Sequence, residues 1–375
     1  GLIKIDAENV EVEKYIDHIL SQFRMDLSRQ SNSDFQDFLK SSGFLYYKLI
    51  KPIADMAEGK KLLILPEGKL GYLPFDVLVS DENLVFNRID YRNLPYLIHR
   101  HPISYCYSAT LHFSQNERKQ KGNGKLMAFA PDYSGFKSVS INEEDTITLS
   151  ELPFARIESE RVLSVFGGEL AVGKDATKSG FLDQAADYSY LHLAMHTIIN
   201  DDKPLYSRLI FQQQEDSLDA YSIGTYELFG LDLNASLVVL SACNTGTGKF
   251  REGEGIISLT RGFIHAGVPS IVMTNWEVHD QTGSWMMERF YNYLADGMSK
   301  DIALQQAKID FLEQANQLKA HPYFWASYVV IGDATPISKG HLLNWYVGVG
   351  VIVLLLILLP GYRLIRGKIS AKSLQ

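Results

Sequence analysis

The chain has 375 residues, 46% of them hydrophobic, and a formal net charge of −8, which indicates a globular protein of one large domain or two smaller ones. An acidic chain with no basic block ahead of its C-terminal tail is unsuited to sequence-nonspecific nucleic-acid binding, so no nucleic-acid partner is expected. Its two cysteines exclude a disulfide scaffold, and the spacing of its Cys and His residues matches no zinc motif.

Residues 1–60 are predicted to form a helical lead-in. In "FQDFLKSSGFLYYKLIKPIADMA" the apolar residues recur near helical spacing, and Pro52 marks a break. The chain starts with Gly1, and residues 1–15 lack the apolar core of a signal peptide. We therefore expect the lead-in to be the end of a longer N-terminal region.

From residue 61 onward, short apolar runs alternate with helical segments. The predicted strands are Lys61–Leu65, Lys125–Ala130, Tyr190–Ala194, Arg208–Phe211, Ser236–Ser241, Pro269–Thr274 and Ala326–Ile331. The predicted helices are Glu158–Phe166, Thr177–Ala186, Gly255–Ala266, Gln281–Leu294 and Asp301–Gln317. This alternation is typical of an α/β fold, in which a mostly parallel sheet is covered by helices on both faces. The polar stretch 134–150 is predicted to be a loop.

Two histidines lie in "YLHLAMHTIIN", residues 190–200. His192 falls inside the predicted strand, where a packed structural histidine is the expected role. His196 falls just past the strand, and sites in open α/β sheets form beyond the carboxyl ends of strands. Taken alone, His196 is equally compatible with a structural role and with that of a general base.

A cysteine follows another strand in "LVVLSACNTGTGKFREGEG", residues 237–255. A free cysteine is often a small buried hydrophobe, and we expect this role for Cys106, which lies between tyrosines in a strand-like run. Cys243 instead precedes small and polar residues. A phosphate loop is excluded, because a Walker A motif would need glycine at position 243 and Ser or Thr at Phe250. Packing and nucleophilic catalysis remain the alternatives for Cys243.

The two residues support each other as a pair. A cysteine nucleophile needs a base to form the thiolate and N–H donors to stabilise the oxyanion. His196 precedes Cys243 by 47 residues, and the histidine of caspases lies about 50 residues before the cysteine. The order and spacing therefore favour a Cys–His pair.

Several longer blocks surround these residues, and in this order they resemble the CHAT family of caspase-like, separase-related cysteine peptidases of clan CD. The blocks are "LLILPEGKLGYLPFDVL" (62–78), "LPFARIESERVL" (152–163), "LHLAMHTIINDDKPLYSRLIF" (191–211), "VVLSACNTGTGKFREGEGIISLTRGFIHAGVPSIVMTNWEVHD" (238–280) and "HPYFWASYVVIGD" (321–333). The resemblance implies a caspase-like three-layer α/β/α sandwich over residues 61–335. It also implies a protein substrate and neither a cofactor nor a metal.

Carried over to this chain, the resemblance makes His196 the general base and Cys243 the nucleophile, and the Cys243 backbone N–H becomes one oxyanion donor. The family often has glycine after the histidine, whose N–H is the second donor. Here the residue is Thr197, which resists positive φ. This departure favours the alternative function, a catalytically weak or inactive scaffold that binds a partner peptide.

Polar and aromatic residues that follow the same strands are expected to line a substrate groove. The expected groove residues are Asn244, Glu252, Glu254, Trp276, Glu277 and Asp280. Asp201, Asp202, Glu252 and Glu254 together would suit a basic P1 side chain, although each alone is more typical of a solvated loop. No P1 preference is therefore assigned.

The C-terminal segment 342–362 is predicted to be a single transmembrane helix, because it contains the apolar run VGVGVIVLLLILL. Trp345, Tyr346 and Tyr362 lie near its ends, as interfacial aromatic residues do. The tail 363–375 is basic, which predicts a cytoplasmic tail and an extracytoplasmic globular domain. The expected function is thus a membrane-anchored cysteine endopeptidase, regulated by an upstream sensor module such as helical repeats.

Overall fold

The structure is a computed structural model of the chain. It describes residues 10–23, 31–81, 84, 88–110, 112, 122–135, 139–140, 146–200, 202–215, 217–241, 254–278 and 280–337. The predicted nucleophile Cys243 and the predicted membrane span 342–362 lie outside these residues. Within the described part of the chain, no helix has the length and apolar character needed to cross a bilayer.

The described helices and strands alternate through most of the chain. The helices are α1 (Val10–Gln22), α2 (Asn32–Leu49), α3 (Ala54–Ala57), α4 (Ala155–Phe166), α5 (Lys178–Gln184), α6 (Leu218–Tyr221), α7 (Thr225–Leu228), α8 (Glu254–His265), α9 (Asp280–Ala295) and α10 (Lys300–Gln314). The strands are β1 (Leu62–Ile64), β2 (Ile103–Tyr105), β3 (Leu126–Ala130), β4 (Val139–Ser140), β5 (Thr146–Ile147), β6 (Gly168–Val172), β7 (Tyr190–Leu193), β8 (Thr197–Ile198), β9 (Arg208–Ile210), β10 (Ser222–Gly224), β11 (Leu237–Leu240), β12 (Ser270–Thr274) and β13 (Tyr328–Gly332).

The main sheet has eight strands in the order β1-β2-β13-β12-β11-β7-β3-β6. Strands β12 and β13 pair antiparallel, and the other described pairs of this sheet are parallel. The mostly parallel α/β sheet predicted from the sequence is therefore confirmed. Since β3, β7 and β11 are parallel neighbours, the residues that follow them emerge at one edge of the sheet.

Helices cover both faces of the sheet. On one face, His192 of β7 contacts Glu158 of α4 and Tyr291 of α9. On the other, Phe129 of β3 packs edge-on against Phe181 of α5, and α8 lies over β12. The central strands are buried along their whole length, as expected for a sheet with two covered faces. The described elements thus form three layers.

Three features differ from the sequence-based expectations. Strand β6 was not predicted, because it is an exposed edge strand and lacks a continuous apolar run. The predicted strand at residues 208–211 belongs to a separate antiparallel sheet of order β10-β9-β8. The predicted loop 134–150 contains the short β4–β5 pair. Strands β4 and β5 have two residues each, which is too short to show a periodic pattern in sequence.

The described residues of the lead-in include helices α1, α2 and α3. Helix α2 starts with a capping box, in which Asp34 N–H donates to Ser31 Oγ and Ser31 N–H donates to Asp34 Oδ2. Such a cap stabilises a helix by about 1 kcal/mol. Further along α2, the buried Ser42 hydroxyl donates to the Val77 carbonyl and accepts from Val79 N–H. The lead-in is thereby fastened to the segment that follows β1.

That segment, "LPFDVL" (73–78), is held from its other side by a buried ion pair. Lys308 Nζ of α10 lies 2.8 Å from Asp76 Oδ2, and the two side chains are only 2% and 7% exposed. Phe75 N–H also donates to the buried Tyr105 hydroxyl. These contacts give this block an architectural role.

His321 is a buried histidine in a cluster of aromatic rings. Its ring lies 4.6 Å from that of Tyr91, and its Nδ1 accepts the N–H of Tyr323. Its Nε2 has no hydrogen-bond partner among the described residues. Burial lowers the pKa of His321 to about 3. The imidazole is therefore neutral at pH 7.

This neutral histidine makes the fold sensitive to acid. Between pH 6.5 and 3 the unfolded chain binds a proton at His321 that the folded chain does not, so stability falls as pH is lowered through this window. Asparagine at this position keeps an acceptor for Tyr323 N–H but does not titrate. We compare how far the free energy of unfolding decreases from pH 6.5 to pH 4.5. This decrease is expected to be roughly 2–3 kcal/mol smaller in His321→Asn than in the wild type.

Urea unfolding at the two pH values measures this difference. The matched control is His18→Asn, since His18 is an exposed histidine of α1. An equal loss of stability in the wild type and in His321→Asn would contradict the assignment of the acid sensitivity to His321.

Candidate active site

The candidate site lies at the carboxyl ends of β3, β7 and β11. Leu193 and Leu240 are partners in the register of β7 and β11. Ser241, the residue after β11, donates its N–H to the Leu193 carbonyl at 3.1 Å. His196 lies three residues past the end of β7. Cys243 comes two residues after Ser241 in the sequence and lies outside the described residues.

The His196 imidazole is fully buried and is held in one tautomer. Its Nε2 lies 2.6 Å from the backbone carbonyl of Ser150. Because a carbonyl only accepts hydrogen bonds, Nε2 carries the proton and Nδ1 keeps its lone pair. Among the described residues, Nδ1 has no hydrogen-bond partner. Nδ1 is therefore a basic nitrogen that no group in the described part of the chain occupies.

The environment of His196 also sets its charge. Burial lowers the pKa of His196 below its usual value, and the hydrogen bond to Ser150 opposes this shift in part. The imidazole is consequently neutral at pH 7, the form that accepts a proton from a thiol. The Ser150 carbonyl would also stabilise a protonated imidazole.

The backbone of His196 is fixed by Tyr133, a residue that the sequence analysis did not identify. His196 N–H donates to Tyr133 Oη at 3.0 Å, and Tyr133 Oη donates to the Ile210 carbonyl at 2.6 Å. The two rings are 4.5 Å apart. Tyr133 lies three residues past the end of β3, the same offset as His196 from β7. This match appears only with the observed strand ends, because the predicted strand Tyr190–Ala194 puts His196 two residues past its end.

Thr197, the predicted second oxyanion donor, is the first residue of β8. It pairs with Leu209 of β9. The neighbouring pair in the ladder is His196 with Ile210, and there Ile210 N–H donates to the His196 carbonyl. Hydrogen-bonded and non-hydrogen-bonded pairs alternate in an antiparallel ladder, so Thr197 N–H points away from β9. Its backbone is extended, which a β-branched residue favours. The role of Thr197 as an oxyanion donor stays a prediction.

The predicted groove residues are only partly described. Trp276 is buried after β12, where its Nε1–H donates to the Tyr323 carbonyl and its ring stacks on Phe23 at 4.5 Å. Glu277 beside it is exposed. The backbones of Glu254 and Asp280 begin α8 and α9.

The acidic residues considered for a P1 pocket are described even less. Asp202 is exposed. Asp201, Asn244 and Glu252 lie outside the described residues. The structure therefore brings Trp276 and Glu277 to the carboxyl end of β12, beside β11, and the groove itself stays a prediction.

Two further residues have the structural roles expected of them. His192 is fully buried, with Nε2 at 3.0 Å from Glu158 Oε1 and Nδ1 at 3.2 Å from the Tyr291 hydroxyl. Cys106 is buried, and burial raises the pKa of its thiol, which disfavours the reactive thiolate. In the described part of the chain, no group of three or more His, Cys, Asp or Glu side chains is placed to hold a metal ion.

Comparisons with solved structures find similar chains at low sequence identity. The Arg-specific cysteine proteinase gingipain R is 11% identical with a TM-score of 0.44, and the alignment covers 89% of this chain and 80% of that one. The Saccharomyces cerevisiae separase–securin complex is 11% identical with a TM-score of 0.44, and the alignment covers 88% of this chain and 23% of that one.

Curated relatives share more sequence. Tetratricopeptide repeat protein 28 of Mus musculus is 24% identical over 359 residues, and the human protein is 23% identical over 336 residues. The alignments cover 84% and 79% of this chain but only 14% and 13% of those proteins. This chain thus corresponds to a small part of the relatives it matches.

A family model describes most of the chain. The model of the CHAT domain matches residues 39–333. This range begins within α2 and includes the whole eight-stranded sheet, His196 and Cys243. This match covers well over half of the sequence, and the chain belongs to the CHAT domain family.

Proposed function

We propose that the chain is a cysteine endopeptidase in which Cys243 and His196 form the catalytic dyad. The observation that carries this proposal is the state of His196. It is buried and neutral, its Nε2 is held by the Ser150 carbonyl, and its Nδ1 has no partner among the described residues. A general base needs one free nitrogen. The buried His321 also has an unpartnered nitrogen, but His196 alone of the two follows the carboxyl end of β7, the neighbour of the strand that leads to Cys243.

The position of β11 supports the same dyad. Ser241 is hydrogen-bonded to Leu193, and neighbouring strands lie about 4.8 Å apart. Two residues of extended chain span at most about 7 Å. The link from Ser241 to Cys243 is thus short, as a dyad of Cys243 with His196 requires.

The proposed reaction follows from these groups. His196 Nδ1 takes the thiol proton, and the Cys243 sulfur attacks the peptide carbonyl. The N–H groups of Thr197 and Cys243 stabilise the oxyanion. The imidazolium then protonates the leaving amine as the C–N bond breaks, which leaves a thioester. Water, deprotonated by the same nitrogen, hydrolyses the thioester and restores the thiol.

The proposal extends to the rest of the chain. Segment 342–362 anchors the protein in a membrane as a single span, and the basic tail 363–375 lies in the cytoplasm, so that the globular domain is extracytoplasmic. A regulatory module precedes the lead-in. The curated relatives are named tetratricopeptide repeat protein 28, and this name supports helical repeats as that module. The partners are then a protein substrate, the repeat module and the membrane.

A thiol-reactive peptidyl probe, combined with mapping of new protein N-termini, tests the peptidase. We expect the full chain to be labelled at Cys243 and to generate N-termini that disappear in Cys243→Ala. The matched control is Cys106→Ala, which removes the buried cysteine and keeps labelling and cleavage. An unlabelled Cys243, with no Cys243-dependent N-termini, would reject the peptidase and favour the peptide-binding scaffold.

A further inference from the structure

We propose that Tyr133 is a positioning residue for His196, through a hydroxyl built into the start of the β8–β9 ladder. The proposal deepens the proposed function, because it names a group that holds the base of the dyad. It rests on the placement of one buried hydroxyl between two backbone groups and beside one imidazole.

The hydroxyl replaces a ladder hydrogen bond. In an antiparallel pair such as His196 and Ile210, each N–H normally donates to the other residue's carbonyl. Ile210 N–H does donate to the His196 carbonyl at 2.9 Å. The second hydrogen bond of this pair, from His196 N–H to the Ile210 carbonyl, is absent. Tyr133 Oη instead accepts from His196 N–H and donates to the Ile210 carbonyl. The two strands are thus joined at this point through a side chain of a third segment.

This arrangement gives the imidazole two separate restraints. Its Nε2 is tied to the Ser150 carbonyl, and its backbone is tied to Tyr133, whose ring also packs against it at 4.5 Å. Tyr133 is itself 3% exposed, and burial raises the pKa of its hydroxyl well above the usual range. The hydroxyl therefore keeps its proton and acts as donor and acceptor at once.

Removal of the hydroxyl leaves both backbone groups without their partner. His196 N–H and the Ile210 carbonyl are buried, and buried groups that lose a hydrogen bond drive local rearrangement. A shift of the His196 backbone moves the ring away from the Ser150 carbonyl and Nδ1 away from the thiol. Displacements near 1 Å reduce rates by about 100-fold.

The test compares Tyr133→Phe with Tyr96→Phe. Tyr96 is also fully buried, and its hydroxyl has no hydrogen-bond partner among the described residues. Imidazole nitrogen NMR reports the tautomer of His196, amide exchange reports its N–H, and the peptidyl probe reports Cys243. In Tyr133→Phe we expect a mixture of tautomers, at least tenfold faster exchange of His196 N–H, and a ten- to hundredfold slower labelling. Tyr96→Phe should match the wild type in all three.

The outcomes separate this inference from the proposed function. A wild-type chain that never labels at Cys243 rejects the peptidase, and the tautomer and exchange measurements then decide the role of Tyr133. If both signatures of His196 are the same in Tyr133→Phe as in the wild type, or change equally in Tyr96→Phe, the positioning role is wrong.

Discussion

Replacement of Lys308 by methionine is expected to destabilise the protein by about 3–5 kcal/mol. Lys308 and Asp76 are both buried, and their side chains meet at 2.8 Å. Methionine has nearly the shape of the lysine stem but no charge, so Asp76 is left as a buried carboxylate without its cation. The cost is large because the desolvation of this carboxylate is no longer compensated. The midpoint of urea unfolding measures it.

Two controls separate the buried charge from the loss of a contact. Arg161→Met removes an ion pair with Glu288 in which both side chains are more than 40% exposed, and such pairs contribute about 0–1 kcal/mol. The double replacement Asp76→Leu with Lys308→Met removes both charges and should recover most of the stability. Equal effects of Lys308→Met and Arg161→Met would show that the buried pair has no special role.

Much of this architecture follows from the sequence because the central strands are buried on both faces. Strands such as β3 and β11 have continuous apolar runs, which a single sequence reveals. Edge strand β6 and strands β8 and β10 of the second sheet form through tertiary contacts rather than through a local pattern. Their positions could not be read from residues alone.

The same distinction holds at the candidate site. His196 could be identified because it follows a buried strand and precedes a cysteine at a suitable spacing. Ser150 acts through its backbone carbonyl, which any residue type provides, so its sequence identity carries no information. Tyr133 accepts a hydrogen bond from His196, which lies 63 residues later in the chain. Only the folded sheet shows that the two residues are in contact.

Replacement of His196 by alanine is expected to slow the labelling of Cys243 at pH 7 by about 100- to 10,000-fold, the usual contribution of a general base. Without the imidazole, nothing removes the thiol proton, and only the small fraction of thiolate present at neutral pH reacts. The control is His265→Ala, since His265 is an exposed histidine at the end of α8. Its labelling rate should equal that of the wild type.

The dependence of labelling on pH identifies the base more sharply than the rate does. Burial lowers the pKa of His196, so protonation removes the base only below pH 6.5. The rate of wild-type labelling should therefore stay constant from neutral pH to below pH 6.5 and then fall. In His196→Ala the rate should instead rise steadily with pH toward the pKa of a free thiol, about 8.5. Each reactive thiolate then forms by solvent ionisation alone. Two profiles of the same shape would mean that another group, not His196, takes the proton.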